Sequence, residues 1–433
     1  MRAAFLWASQ LALGLLVALG LIYSSSLTEG LVKAERQLTA NALRQPQLAD
    51  PLQTFVEVTL PEGPLPLLSG GYLGISPSIH LVRLNTVRPL ANVDQIENLA
   101  RRRHGRVELG FLVTRVAPLF LLPIAILVTG SIRSRASFAA VREGRKKLFD
   151  FAAENVLLPL SAWGAFSLAA LLASLFAFGL RLESNDQLLR LGVWLVAVGA
   201  YALFWLLLYL WLLVRLKKLS DVAAAYAGLC LLFTLLLPAA AQSLVETIAA
   251  PTARTHLGLM RKELSTLGTA VDNTAVERLY EKYKAQRPAE ALSPQALATL
   301  TALAKEQEMA PALGEFEARL ARHEAASAWF TYSSPATVLA DLGDELAGTG
   351  LGRYASFRRE VECFADRWRE YVVPFLLERR TLDFDDLKAA PKFAYTEENG
   401  PQWWLRAASS LIYLGALCAA LAWAIRREWQ SAS

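Results

Sequence analysis

Six apolar runs govern what this chain can fold into: Ala3 to Ile22, Leu109 to Gly130, Val156 to Leu180, Leu191 to Val214, Asp221 to about Thr247 and Trp403 to Ile425. Each has about the twenty residues that ~30 Å of hydrocarbon demands at 1.5 Å per residue. No water serves the main chain inside a bilayer, so each run is expected to cross as an α-helix. The connection from Ser131 to Phe149 sets the direction. It carries Arg133, Arg135, Arg142, Arg145, Lys146 and Lys147 against one acid, Glu143. Short cationic loops beside spans are retained in the cytoplasm. RLKK at Arg215 to Lys218 and the pair Arg426 and Arg427 agree, which places both termini inside. RRRHGR at Arg101 to Arg106 is the exception, abutting the second run on the opposite side, and the other three basic flanks outweigh it.

The expected fold is therefore an all-α polytopic membrane protein with six transmembrane helices. Residues 1–24 form the first span, 25–107 a small mixed external segment, 108–130 the second span and 131–152 a cytoplasmic loop. Residues 153–247 supply spans three to five, 248–402 a larger and mainly helical external domain, and 403–433 the sixth span with a cytoplasmic tail. For the first run a retained anchor is favoured over a cleaved signal peptide, because the run exceeds a usual apolar core and lacks an A-x-A site.

Composition supports this. With 54% hydrophobic residues and a mean hydropathy of +0.32, the chain is too apolar for an ordinary soluble protein and too charged to be embedded throughout. The net charge of +5 sits beside apolar runs, where topology and anionic headgroups explain it better than nucleic acid does. Membrane lipids are expected as contacts and nucleic acid is not. Cys230 and Cys418 lie inside apolar runs, so Cys363 has no disulfide partner, and no CxxC metal or redox motif is present. His80, His104, His256 and His323 all fall outside the runs, which disfavours haem chemistry at membrane depth. No metal site or cofactor is expected in this chain.

Polar residues inside the runs are the candidates for function. Pro118 and Pro123 interrupt the second run and would kink it unless neighbouring helices satisfy the freed carbonyls. Arg115 in the same run either snorkels to the interface or pairs with Glu246 at the mouth of a path. Arg115, Gln242 and Glu246 are thus the candidate translocation-path residues. Trp194 and Trp211 read as interface anchors. In the first external segment, FVEVTL at Phe55 to Leu60 alternates like a strand, and VDQIENLARRRHGR reads as a short helix. In the second, long helices are expected from about Thr255 to Arg287 and from Pro294 through Ala328, the latter divided by Pro311 and Gly314.

There is no G-x-x-x-x-G-K-[ST] phosphate cradle, no H-E-x-x-H and no G-x-S-x-G. No catalytic residue is expected here, and chemistry would be supplied by a partner.

From Tyr332 the chain reads YSSPATVLADLGDELAGTGLGRYASFRREVECF and later DFDDLKAAPKFAY. This resembles bacterial ABC-2 type permeases with a large extracytoplasmic domain of unknown function (domain of unknown function 3526), a group also described as permeases of multicopper-enzyme maturation. The family pattern of Ser-Pro, amphipathic helix, Ala-Gly-Thr turn, Arg, Phe and Pro-x-Phe looks like Ser334 and Pro335, Ala347 with Gly348 and Thr349, Arg353, Phe357, and Pro391 with Phe393. GRVELGFLVTRVAPL, Gly105 to Leu119, is similar to the family's approach to its second span.

The resemblance implies a permease subunit in the bacterial inner membrane, paired with a second permease and served by a cytoplasmic ABC ATPase that holds ATP and Mg. Docking of that ATPase would fall on Arg133, Arg135, Phe138, Val141, Arg142, Arg145, Lys146 and Lys147. The loop departs from the family: Ile132, Arg133 and Ser134 replace its acidic triplet, and Ala136, Ser137 and Phe138 replace Gly-Thr-Leu. That loss favours an unequal, heterodimeric pair. Two further functions fit the sequence. One is mechanotransmission to a periplasmic protein with no substrate crossing, and the other is a membrane-anchored scaffold.

Overall fold

The computed structural model describes residues 50–52, 54–71, 79–84, 87–89, 109–133, 158–177, 180–216, 218–248, 273–283, 292–308, 310–395 and 403–432. The first expected span, the Arg101 to Arg106 cluster and the basic loop beyond Arg133 lie outside these residues. Arg135, Phe138, Val141, Arg142, Arg145, Lys146 and Lys147 therefore lie outside them too, while Arg133 ends a helix.

In chain order, strands β1 (Phe55–Thr59), β2 (Ile79–Arg83) and β3 (Val87–Pro89) precede an apolar helix α1, which joins Leu109–Phe111, a π turn at Leu112–Val116 and Ala117–Arg133. Helices α2 (Leu158–Ala177), α3 (Asn185–Arg215) and α4 (Leu219–Ile248, with a π turn at Leu232–Leu236) follow. Then come α5 (Asn273–Tyr283), α6 (Pro294–Glu308), α7 (Ala310–Thr331), α8 (Pro335–Ala347), α9 (Leu351–Leu377), α10 (Phe384–Ala389) and α11 (Trp403–Ala432). Among the described residues α3, α4 and α11 are long and apolar enough to cross a membrane, and α1 and α2 contribute shorter apolar stretches.

Each boundary has a local cause. Ser184 caps α3, its hydroxyl accepting from Gln187 N while Gln187 reaches back to the cap amide, a reciprocal arrangement that satisfies two otherwise unpaired donors. Ser334 caps α8, with Pro335 at the first helical position, where its missing N–H costs nothing. Gly348 ends α8 at φ 72°, the left-handed conformation that glycine adopts without a side-chain penalty. The break between α6 and α7 falls before Pro311, which lies in the first turn of α7, and Gly314 is inside that helix. The two residues expected to divide the segment thus begin its second half, because proline is tolerated in a first turn.

Side-chain bridges fix how the apolar helices run. Tyr209 Oη donates to Ala125 O at 3.1 Å and Tyr201 Oη donates to Thr114 O, so α1 and α3 are parallel. Arg190 lies 4.9 Å from the Trp403 ring and Arg215 pairs with Glu428, so α11 runs the same way. Phe204 meets Phe233 at 5.9 Å and Tyr209 meets Tyr226 at 5.9 Å, which makes α4 antiparallel to them. The second, fourth and sixth apolar runs share one direction and the fifth opposes them, as alternating spans require.

Two cores result. The first joins α1, α2, α3, α4 and α11 with α8 and with Leu65, Leu67 and Leu68. The second packs Val58 and Val82 of the antiparallel sheet, order β1-β2-β3, and Leu84 just beyond β2 against α5, α6 and α9. In the sheet Phe55 stands opposite Arg83 and His80 opposite Pro89. The expected strand at Phe55 is therefore real, and its partners come from the same first segment. Beyond the second core, α10 is anchored by Asp383 and Asp386, which cap each other's amides. Burial works against the Asp386 charge, yet the Arg380 guanidinium and the Asp383 amide hold that carboxyl below the usual carboxylate range.

One expectation is corrected. Trp194 is not an interface anchor: it is 2% exposed and its indole Nε1 sits 3.8 Å from where a Cβ on Gly343 of α8 would lie. Trp211 is partly buried against the first core and lies beneath Arg215, 5.6 Å away.

A Cβ on Gly348 would lie 2.3 Å from Pro64 Cδ and would also hold a left-handed backbone. Gly199 in α3 has nothing within 4 Å. Gly348→Ala should destabilise the detergent-solubilised protein by about 2 kcal/mol or more, the scale of overpacking plus backbone strain. Gly199→Ala should be neutral or stabilising by about 0.5 kcal/mol. A thermal aggregation series on the two variants checks both.

Candidate functional site

The two ends of α8 define the site. No residue of α8 is exposed, although it belongs to a segment whose sequence reads as water-soluble. Helices α7 and α8 form a hairpin, with α7 lying along Leu237–Ile248 of α4. Its turn reaches Tyr332, whose hydroxyl donates to Ser409 Oγ at 2.7 Å and whose ring meets Tyr413 at 5.6 Å. Tyr413 stands about 15 Å beyond Trp403 at the rise of an α-helix. The hairpin therefore penetrates the apolar bundle well below the end at which α3 and α11 begin.

Such insertion requires every polar group on α8 to find a partner within the protein. Ser334 is fully buried; its hydroxyl accepts from Ala336 N at 3.2 Å and donates to Phe233 O in α4. Thr337 Oγ1 donates to Ser334 O at 2.7 Å. Asp341 faces Arg406 of α11 at 4.0 Å. Arg190 of α3 pairs with Asp186 and extends Nη1 towards Glu345 O at 3.5 Å. Asp344 is 3% exposed and accepts from Ser69 Oγ.

At its far end α8 meets the loop Pro61 to Gly71 from the first segment. The backbones touch: Leu65 N donates to Ala347 O at 3.3 Å, and a Cβ on Gly63 would sit 2.2 Å from that same oxygen. Thr349 Oγ1 donates to Ser69 O at 3.1 Å. The Arg353 side chain, 6% exposed, donates to Pro61 O at 2.9 Å and Gly348 O at 3.0 Å through Nη1, and to Glu62 O at 3.3 Å through Nη2. Its guanidinium also lies 5.5 Å from the Tyr395 ring. A planar fork of donors suits three carbonyls at once, which a lysine ammonium does less well. Gly110, at the start of α1, abuts Ser69, so this seam joins both segments to the bundle.

The residues singled out from the sequence divide accordingly. Ser334 and Pro335 lie at the hairpin tip, and Gly348, Thr349 and Arg353 form the seam. Phe357, fully buried, packs edge-on to Phe393 at 5.8 Å and to His80 at 5.4 Å in the second core; Pro391 is half-buried two residues before Phe393. The motif is thus a continuous line from bundle interior to second core. Of the path residues, Gln242 Nε2 donates to Glu246 Oε1 at 3.2 Å on the exposed side of α4, while Arg115 lies over the Phe111 ring at 5.6 Å. Glu246 takes its hydrogen bond from Gln242, not from Arg115. Among the described residues no group of three or more metal-ligating side chains is assembled.

Sequence reading missed Ser69, Asp344, Arg190 and the tyrosines 201, 209 and 226. The Gly-Pro-Leu-Pro-Leu-Leu-Ser-Gly-Gly run was a signal for close backbone approach, and tyrosines inside apolar runs were a signal for buried hydroxyl donors.

These features define a helical protein compatible with membrane insertion, in which α8 packs into an apolar bundle and leads through Gly348 to a second, mixed core. Residues 269–396 match the family model described as domain of unknown function DUF3526, and that match spans α5 to α10, including the hairpin and the whole Ser334 to Phe393 line. The resemblant stretch at Gly105 to Leu119 lies outside it. No curated protein and no solved structure matches the chain.

Arg353→Ala removes the donor of three carbonyls, of which Gly348 O is buried, and should cost about 1–3 kcal/mol. Arg353→Lys should recover less than half of that. Limited proteolysis checks this, with earlier cleavage expected at the Pro61 to Gly71 loop in both variants.

Proposed function

We propose that this chain is the transmembrane subunit of an ATP-driven export or extraction system in the bacterial inner membrane. In this reading a separate cytoplasmic ABC ATPase, holding ATP and Mg, docks on the basic loop at Arg133 to Lys147, and its cycle drives movement or release of a substrate on the opposite side. A second permease subunit completes the assembly, with an unequal pair favoured by the altered loop. The observation that carries the reading is the inserted hairpin. Because α8 shares the core of the apolar helices, rearrangement of those helices must displace the segment matched to DUF3526. The resemblance to ABC-2 type permeases supplies the ATPase.

A second reading is favoured by the packing of the interior. Tyr201, Trp205, Tyr226 and Phe233 pack edge-to-face where α3 meets α4, and the polar groups of α8 are satisfied by protein. Such an interior suits a subunit that transmits motion to a periplasmic protein without passing substrate between these helices. A membrane-anchored scaffold is the remaining alternative.

The test is purification of the tagged full chain in detergent from its native membranes, with an ABC ATPase sought as the bound partner. Co-purification is expected, with ATP turnover raised several-fold in the complex. Arg145→Ala combined with Lys146→Ala and Lys147→Ala should abolish ATPase binding and leave the chain in the membrane. A chain that never associates with an ATPase would exclude both energy-coupled readings and leave the scaffold.

A further inference from the structure

Helices α1 and α4 carry the same device. LVTRVAP, Leu112 to Pro118, and LFTLLLP, Leu232 to Pro238, each open with leucine, place threonine third and end in proline. In both, the first five residues form a π turn. In both, the threonine hydroxyl bonds back to the carbonyl four residues earlier, Thr114 to Gly110 O and Thr234 to Cys230 O, each at 2.7 Å. Both threonines are buried, 2% and 5% exposed, and the two π turns lie against each other.

The register shows why a third group is needed. Ala117 N–H bonds to Leu112 O and Leu237 N–H to Leu232 O, the five-residue step of a π turn. The next donor along each helix would be residue 118 or 238, and both are proline, which has no N–H. A main-chain carbonyl is therefore released in each helix. Tyr201 Oη of α3 serves Thr114 O in the first, and Ser334 Oγ serves Phe233 O in the second. Tyr226 Oη of α4 donates to Pro118 O of α1 at 3.1 Å, tying the two together. The served carbonyls differ in register, four residues before Pro118 and five before Pro238, and their donors differ in origin. Tyr201 belongs to the bundle, whereas Ser334 belongs to the hairpin.

We propose that Ser334 latches the α7–α8 hairpin to α4 by replacing, at the Phe233 carbonyl, the donor that Pro238 lacks. Leu237–Ile248 packs along α7, and the Ser334 bond ties the tip of the hairpin to the π turn at the base of that segment while α8 stays packed on α3 and α11. This inference goes beyond the permease reading and stands without an ATPase.

The latch makes Ser334 and Pro238 dependent on each other. Pro238→Ala restores an N–H beneath the Phe233 carbonyl, so the hydroxyl should become dispensable. Ser334→Gly removes the hydroxyl while keeping a residue that still tolerates a helix start. The measurement is hydrogen exchange of the full chain in lipid nanodiscs, read on amides from Tyr332 to Leu339. Ser334→Gly should raise exchange about three- to tenfold, the range of one hydrogen bond, and Ser334→Thr should stay within about twofold of the unmodified chain. In the Pro238→Ala background Ser334→Gly should change exchange less than about twofold. An equal rise in both backgrounds, no rise in either, or an equal rise with Ser334→Thr would overturn the latch.

Discussion

Proline in an apolar helix releases main-chain carbonyls where water cannot reach them, and the rest of this structure is arranged to answer that. An unserved buried carbonyl costs about 1–3 kcal/mol. Pro118 and Pro238 therefore call for hydroxyl donors at fixed heights along α1 and α4. Tyr201 supplies the one at Thr114 O from within the bundle, and Tyr209 and Tyr226 add bonds to Ala125 O and Pro118 O of the same helix. Ser334 supplies one from outside it, and to reach Phe233 O the chain must send a helical hairpin into the apolar core. The depth of the hairpin, the burial of most of α8 and the bonds made by Asp341 and Asp344 accompany that contact.

Once inside, the hairpin must return, and the return shapes the seam. The left-handed Gly348 turns the chain from α8 into α9, and its lack of a side chain lets Pro64 approach. That closeness would strand the carbonyls of Pro61, Glu62 and Gly348, and Arg353 collects all three. One guanidinium thereby binds two segments more than 280 residues apart in sequence, and it does so directly above the start of α1. Bundle, loop and second core are held as one mechanical chain. This continuity is the observation that supports the proposed coupling of helix motion to the segment matched to DUF3526.

The apolar runs at Leu109, Leu191, Asp221 and Trp403 were legible because length and hydropathy alone identify a helix of spanning size. The alternation of FVEVTL marked β1 for a similar reason. The Ser334 to Phe393 pattern was legible as a unit, but its placement was not. At thirteen residues α8 is too short for a span, and its Asp341, Asp344 and Glu345 read as a solvated face. Only the partners of those acids, on α11 and in the Pro61 to Gly71 loop, make burial affordable, and partners distant in sequence leave no local pattern. Trp194 was misread for the same reason, since the surface that would have met lipid headgroups is covered by α8. The need for a donor near Pro118 could be stated from sequence, while Tyr201, which meets it, could not be chosen.

The central claim is that the tip of the α7–α8 hairpin lies inside the apolar bundle, not in water beside it. Thiol accessibility tests this most directly. In a background with Cys230, Cys363 and Cys418 replaced, single cysteines at Ser333 and at Asp385 would be exposed to a membrane-impermeant maleimide in intact cells and in reconstituted vesicles. The expected result is rapid labelling at position 385 and labelling at least about a hundredfold slower at position 333, as local opening of a packed core requires. Labelling at position 333 as fast as at 385 would contradict the account.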